Sequence, residues 1–359
     1  MKQFISLILT FVILMMILCG CSQTDNPENA DSDGKISVVC TTFPQYDWVR
    51  QILGSKSDDM NLTLLLNSGV DLHNYQPTVD DILKISTCDL FIYVGGESNQ
   101  WVDGALAEAI NPNMIVINLL DTLGDGAKAE EIIEGMEEDG GHDDHDDEED
   151  GDYDGHDDEE DGYYDDHDEE DDYEDSYEDK AEIDAHIWLS LKNAEVLCTH
   201  IENALSSLDA DNTREYQSNL EVYTEKSRVL DAEYQTAVND ASVSTLLFGD
   251  RFPFRYLMDD YGLEYYAAFS GCSAETEAGF DTIVFLAEKT DELGLNTIMV
   301  TESADQSIAK AIIRNTTDKN QKILVLDAMQ SVTAGSVENG ATYISIMESN
   351  LTVLKKALQ

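Results

Sequence analysis

The chain has 359 residues, 42% of them apolar, enough for two ordinary domains with a real core. Its 75 Asp and Glu against 20 Lys and Arg give a formal charge of −55. That excludes nucleic acid or an anionic membrane face as the electrostatic partner and favours a cationic ligand. The charge is uneven. Residues 137–179 hold 28 acids and no Lys or Arg, so the rest of the chain, with 47 acids and all 20 bases, is far less extreme.

Lys2 precedes an apolar run from Phe4 to Leu18, too short to span a bilayer comfortably and placed where a signal sequence has its hydrophobic region. It ends in Leu18-Cys19-Gly20-Cys21, which resembles a bacterial lipobox, with cleavage before Cys21 and lipidation of that residue. Residues 1–21 therefore read as signal peptide and lipobox, and 22–34 as a polar tether. The mature chain is expected outside the cytoplasm, anchored to the bacterial cell membrane by its lipid. Four cysteines then remain, Cys40, Cys88, Cys198 and Cys272, at spacings that match no CxxC or zinc-ribbon pattern. Cys40 and Cys198 lie in apolar-patterned segments and read as buried free thiols.

From Lys35 onward short β-branched runs alternate with helical patterns. Strands are predicted at 36–41, 62–66, 90–94 and 115–118, with helices at 46–53, 79–85 and 100–110. The rhythm returns after residue 243, with strands at 245–248, 264–269, 297–301 and 323–326 and helices at 275–293, 307–315 and 342–358. Alternation of this kind predicts an α/β fold of two lobes, each a mostly parallel sheet flanked by helices. Between them, residues 213–241 contain no Gly or Pro, and Tyr216, Leu220, Tyr223, Leu230, Tyr234 and Ala237 fall on one helical stripe. A helix there would run about 43 Å at 1.5 Å per residue, a strut long enough to join the lobes. The expected organisation is an N-terminal lobe from 35–136 and 180–210, an interdomain helix at 211–242 and a C-terminal lobe at 243–359.

The acidic insert, 137–179, is a repeat. His145, His156 and His167 are spaced eleven apart, each followed by Asp and Glu, and His142 adds a fourth imidazole. Such a segment cannot bury enough apolar surface to fold. It reads as a weak, multivalent collector of divalent cations, or as a solvating linker.

Ligands of open α/β sheets bind beyond the carboxyl ends of the strands. The residues expected there are His73 in GVDLHNYQP, His186 in DAHIWL, Asp250 with Arg251, Glu302, and Asp327. Two imidazoles from the first lobe and carboxylates from the second form a divalent-metal set across a cleft. No nucleophile–base pair, P-loop, GxGxxG or HExxH is present in the sequence, and the protein reads as a binder rather than an enzyme.

These motifs, with Thr42-Phe43-Pro44, DLFIYVG followed by Trp101, Tyr261-Gly262-Leu263 and VLDAM before Gly340-Ala341-Thr342-Tyr343, resemble the substrate-binding lipoproteins of bacterial ABC importers for zinc and manganese. The resemblance covers nearly all of 35–359, and the acidic His-rich loop before DAHIWL is the mark of its zinc-preferring members. It implies a monomer that captures Zn²⁺ and passes it to an ABC permease, with His73 and His186 as N-lobe ligands and Asp327 as the C-lobe carboxylate. Manganese is the alternative ion, and a surface metal buffer or cell-adhesion protein the alternative role. A metal-dependent hydrolase using Glu302 as base is the remaining rival.

One position departs from the family. Its third ligand, His or Glu, lies ten residues before the YGL motif, where this chain has Arg251, and a guanidinium has no lone pair to give. Either Asp250 substitutes through a local register change, or His73, His186 and Asp327 hold the ion with water. Cys272, with Glu275 and Glu277, is also unlike the family, and reads as a helix start capped by Ser273 or as an added polar contact. Binding is expected to weaken below about pH 6, because a ligating imidazole must lose its proton.

Overall fold

Val38, Val39 and Cys40 are fully buried in β1 (Ser37–Cys40), the first strand in a computed structural model that describes residues 34–137, 182–273 and 277–359. The leader, Cys21, almost all of the tether and the four insert histidines lie outside the described residues. Residues 1–35 and 36–359 are separate units; both sheets, their helices and the cleft belong to the second.

Helix α1 (Phe43–Leu53) starts where the sequence offers both entry signals, with Pro44 in the first turn and a capping box between Thr42 and Gln45. Then come β2 (Asn61–Leu64), α2 (Val79–Thr87), β3 (Leu90–Tyr93), α3 (Trp101–Ala107), β4 (Ile115–Asn118) and α4 (Leu119–Leu123). The strands form a parallel sheet in the order β2-β1-β3-β4. Two helices follow, α5 (Leu191–Leu208) and α6 (Thr213–Asn239). The 27 residues of α6 span about 40 Å and bury Tyr216, Tyr223, Leu230 and Tyr234, four members of the predicted stripe.

The second sheet repeats the plan. Strand β5 (Thr245–Phe252), α7 (Arg255–Tyr261), β6 (Glu264–Ser270), α8 (Phe280–Glu292), β7 (Thr297–Thr301), α9 (Ser307–Asn315), β8 (Lys322–Leu326), α10 (Ala334–Glu338) and α11 (Tyr343–Ala357) give a parallel sheet in the order β6-β5-β7-β8. Both sheets switch direction of winding at their central strands, which leaves a crevice at the strands' carboxyl ends. One hydrophobic core runs through both sheets and α6, and a smaller one lies between β5–β7 and helices α8 and α9. The lobes are thus welded through shared apolar packing, not merely tethered.

Three details differ from the sequence-based expectation. Strand β5 continues past Phe248 to Phe252, with a register shift between Phe248 and Arg251, so Asp250 and Arg251 lie within the strand. Gly249 fits at that irregularity because an added Cβ would meet the Cα of Ala309 at 2.7 Å. Helix α8 begins at Phe280 with Gly279 as its cap, so Ser273 is not the capping residue and Cys272 belongs to a loop. The stretch 127–136, expected in the first lobe, and Glu137, expected in the insert, hydrogen-bond to residues of the second lobe. Lys128 N donates to the Tyr256 hydroxyl, the Arg255 guanidinium donates to Ala129 O, and Glu137 N donates to Ala268 O at 2.9 Å. The chain re-enters at Glu182, whose carbonyl accepts from Glu130 N.

Candidate metal centre

A cleft of about 550 Å³ opens at the carboxyl ends of both sheets, lined by His73 and Ser98 on one side and by Arg251, Cys272 and Ser303–Ser307 on the other. His73 stands on the single 3-10 turn Leu72–Asn74, entered through Asp71, whose Oδ1 accepts from His73 N at 3.0 Å. Its Nδ1 lies 2.6 Å from Ser98 Oγ, in the loop after β3. His186 is fully buried. Asp184 Oδ1 takes hydrogen bonds from its backbone N and its Nδ1, both at 2.8 Å, and the Trp188 ring packs edge-on against it. Trp188 in turn donates its Nε1–H to Ala328 O of the other lobe at 2.9 Å.

With their outer nitrogens engaged by Ser98 and Asp184, both rings turn Nε2 inward, 3.3 Å apart. The Asp184 carboxylate can only accept, so it holds neutral His186 as the Nδ1–H tautomer with the lone pair on Nε2, whereas the Ser98 hydroxyl can donate or accept and orients the His73 ring without choosing its tautomer. Two lone pairs at that separation repel unless a proton or a cation lies between them. The distance is also that of two nitrogens on one tetrahedral zinc, about 3.3 Å for bonds of 2.0–2.1 Å. The rings respond oppositely to protons. Burial, and next the charge of His186, lower His73 to a pKa of about 4. Burial also works to lower His186, but the Asp184 carboxylate beside it prevails and the net shift is upward.

The carboxylates expected from the second lobe hold local backbone and do not fall among the clustered donor atoms. Among the described residues, the metal-capable groups whose donor atoms lie within 4.8 Å of one another are His73, His186 and Cys272, and Glu130, Asp184, His186 and Cys272. Asp250, Glu302 and Asp327 belong to neither. Asp250 accepts from Thr301 N at 2.9 Å and from the Thr301 hydroxyl, which pins the end of β7. The register change therefore exists, yet it does not carry Asp250 to the imidazoles. Glu302 accepts from the backbone of Ala328, Gln330 and Ser331 and from the Ser331 hydroxyl, and so braces the loop after β8. Asp327 Oδ1 accepts from Met329 N at 2.8 Å. Burial, and next the charge of Glu302, push Asp327 up to about 6.

That loop delivers Gln330, whose amide N–H donates to His186 Nε2 at 2.8 Å, a hydrogen bond that a metal on that nitrogen would have to displace. Met329 adopts a positive φ of 61° immediately before it, and the Glu302 carboxylate holds the turned backbone. Gln330 gave no signal in the sequence, because an amide in a loop resembles any surface amide and the turn is set by an acid 28 residues away.

Arg251 is a bridge across the cleft. Its Nη2 donates to Asp71 Oδ2 at 2.8 Å, with side chains only 18% and 14% exposed, and its Nη1 reaches Ser273 O at 3.5 Å. Its charge is thus neutralised by Asp71, a residue beside the His73 turn, and not by Asp250, Glu302 or Asp327. Cys40, Cys88 and Cys198 are buried free thiols, and Cys272 is free and half-buried at the cleft wall. Burial, and next the Glu130 charge, push the Cys272 thiol far above its ordinary value.

A family model described as zinc-uptake complex component A, periplasmic (ZnuA), matches residues 38–357. The zinc-binding lipoprotein AdcA of Streptococcus pneumoniae is 28% identical over 352 residues, 96% of this chain and 60% of that protein. The high-affinity zinc uptake system protein ZnuA of Bacillus subtilis is 28% identical over 346 residues, 96% of this chain and 94% of that protein. This chain therefore spans about three fifths of the AdcA relatives and nearly all of the Bacillus one. The periplasmic zinc-binding protein TroA of Treponema pallidum shares the fold at a TM-score of 0.66 and 19% identity, with 90% of this chain and 99% of that one covered. The family model takes in both parallel sheets, the long helix between them and nearly all of the described residues, and on that match the chain belongs to the ZnuA family.

Proposed function

We propose that the protein captures Zn²⁺ in the cleft and delivers it to an ABC permease, binding the ion without chemical conversion. The observation that carries this is the pair of imidazole nitrogens 3.3 Å apart, each held by an oxygen partner on the far side of its ring. Neutral imidazole is a borderline donor suited to zinc. The names of the AdcA and ZnuA relatives point to the same ion. Manganese is the weaker reading, because it favours carboxylate oxygens, and Asp250 and Glu302 lie outside the cluster of donor atoms around the imidazoles. Asp327 would contribute negative charge from the second lobe.

The anchoring expected at Cys21 would keep the protein at the outer face of the cell membrane, as a monomer. The insert would raise the local cation concentration. Its described ends support that role: the chain departs at Glu137, beside β6, and returns at Glu182, which itself lines the cleft. Isothermal titration calorimetry tests the central claim. One high-affinity Zn²⁺ site is expected in the parent, with affinity reduced at least about 100-fold in His73→Ala and His186→Ala. Unchanged high-affinity binding in both variants would sink it.

A further inference from the structure

We propose that Cys272 is the third metal ligand, a thiolate that takes the coordination position this chain gives up by carrying Arg251. The inference rests on the reading of His73 and His186 as ligands. Sγ of Cys272 and one nitrogen of each histidine lie within 4.8 Å of one another. Tetrahedral zinc with bonds of 2.0–2.1 Å to nitrogen and 2.3 Å to sulfur sets such atoms about 3.5 Å apart, so closing each separation by no more than about 1.3 Å completes the set.

Three features bring the loop to that position. Gly271 lets it pass over the His186 ring: a Cβ there would meet Phe252 O at 2.8 Å and His186 Cε1 at 3.2 Å. Glu130 Oε1 accepts from Cys272 N at 3.1 Å and fixes the backbone. Arg251 then ties Ser273 O to Asp71, drawing the Cys272 loop toward the His73 turn. A cation that replaces a ligand thus acts as the clamp for its successor. On binding, the S–H bond breaks, its proton goes to solvent and its electron pair forms the S–metal bond, with no change of oxidation state. A thiolate beside two imidazoles selects a soft or borderline ion, Zn²⁺ over Mn²⁺.

The test titrates the reduced protein with one equivalent of Co²⁺ and, separately, of Zn²⁺. A thiolate-to-cobalt charge-transfer band in the near ultraviolet is expected, absent in Cys272→Ser and in His73→Ala. Zinc affinity should fall at least about tenfold in Cys272→Ser with the metal-free melting temperature unchanged, and Cys272→Asp should narrow the preference for Zn²⁺ over Mn²⁺. Zinc-edge X-ray absorption of the parent should show one sulfur at about 2.3 Å, a readout that needs no variant to fold. Metal bound through His73 and His186 with no charge-transfer band and only nitrogen and oxygen neighbours would overturn the thiolate and leave the capture reading intact. High-affinity binding indifferent to all three residues would overturn both.

Discussion

At the scale of single residues, the proposed site rests on two imidazoles whose usefulness depends on what holds their other nitrogen. Asp184 and Ser98 fix those rings, and removing such a partner typically costs about 10–100-fold in metal affinity. Asp184→Asn and Ser98→Ala are expected in that range by calorimetry, with the larger loss at Asp184 because His186 is the fully buried ring. Protons compete for the same site. His186 is shifted above its ordinary 6.5 and His73 is lowered to about 4, so the metal-free pair takes its first proton on His186. Zinc must displace that proton. As pH falls, the loss should therefore steepen by about tenfold per unit from somewhat above pH 6.5, where His186 takes its proton, on top of any dependence set by a Cys272 proton, and should steepen again as pH approaches 4. Affinity flat from pH 8 to pH 6 would contradict this order of protonation. His73 was legible because its motif follows a predicted strand, and His186 because the DAHIWL motif follows the acidic insert. Gln330 was not, because its approach depends on a turn braced by Glu302.

At the scale of elements, the loop after β8 and helix α6 carry the tension between function and stability. Asp327 sits with its carboxylate raised to about 6 by burial and by Glu302, above the 3.9 of an unfolded Asp. The folded state therefore binds the proton more tightly, and ionised Asp327 costs stability above pH 6. Asp327→Asn, which can still accept from Met329 N, should stabilise the metal-free protein by about 1 kcal/mol at pH 8. The gain should shrink as pH falls through 6 and vanish below 4, read by denaturant unfolding. Zinc affinity should change only a few-fold, against the 100-fold of the histidine variants. Helix α6 is fastened to α11 by the Tyr234 hydroxyl, which donates to Met347 O at 2.7 Å in a fully buried setting. Tyr234→Phe leaves that carbonyl short of a donor and should cost about 1–2 kcal/mol, without affecting zinc binding. Most element positions followed from periodicity: β4, β7 and α9 occupy the predicted ranges. The end of β5 did not, because its last residues are polar and pair only where β6 offers a shifted register.

At the scale of the whole molecule, capture in a cleft, the acidic insert and the expected anchor are separable. Deleting 138–181 should leave the cleft's zinc affinity within about threefold while reducing the number of weaker zinc equivalents bound. Loss of the high-affinity site would instead place the function in the insert. Cys21→Ala is expected to release the protein from the membrane fraction.

Pattern and composition by themselves determined that this is a two-lobed α/β protein with a long joining helix, an acidic surplus and two candidate histidines, one past a strand end and one past the acidic insert. Those features are local: a period of two or 3.6, a cap, a charge run. Only the tertiary structure decided which side chains meet. Glu302 and Asp327 sit at strand ends and Asp250 within the extended β5, yet nearby backbone groups claim oxygens of all three. Arg251, Cys272 and Gln330 reach the imidazoles or their supporting turns through contacts that join residues far apart in the chain. Hydrogen bonding at a sheet edge is settled by whichever donor packing brings within about 3 Å, and spacing along one strand holds no record of that.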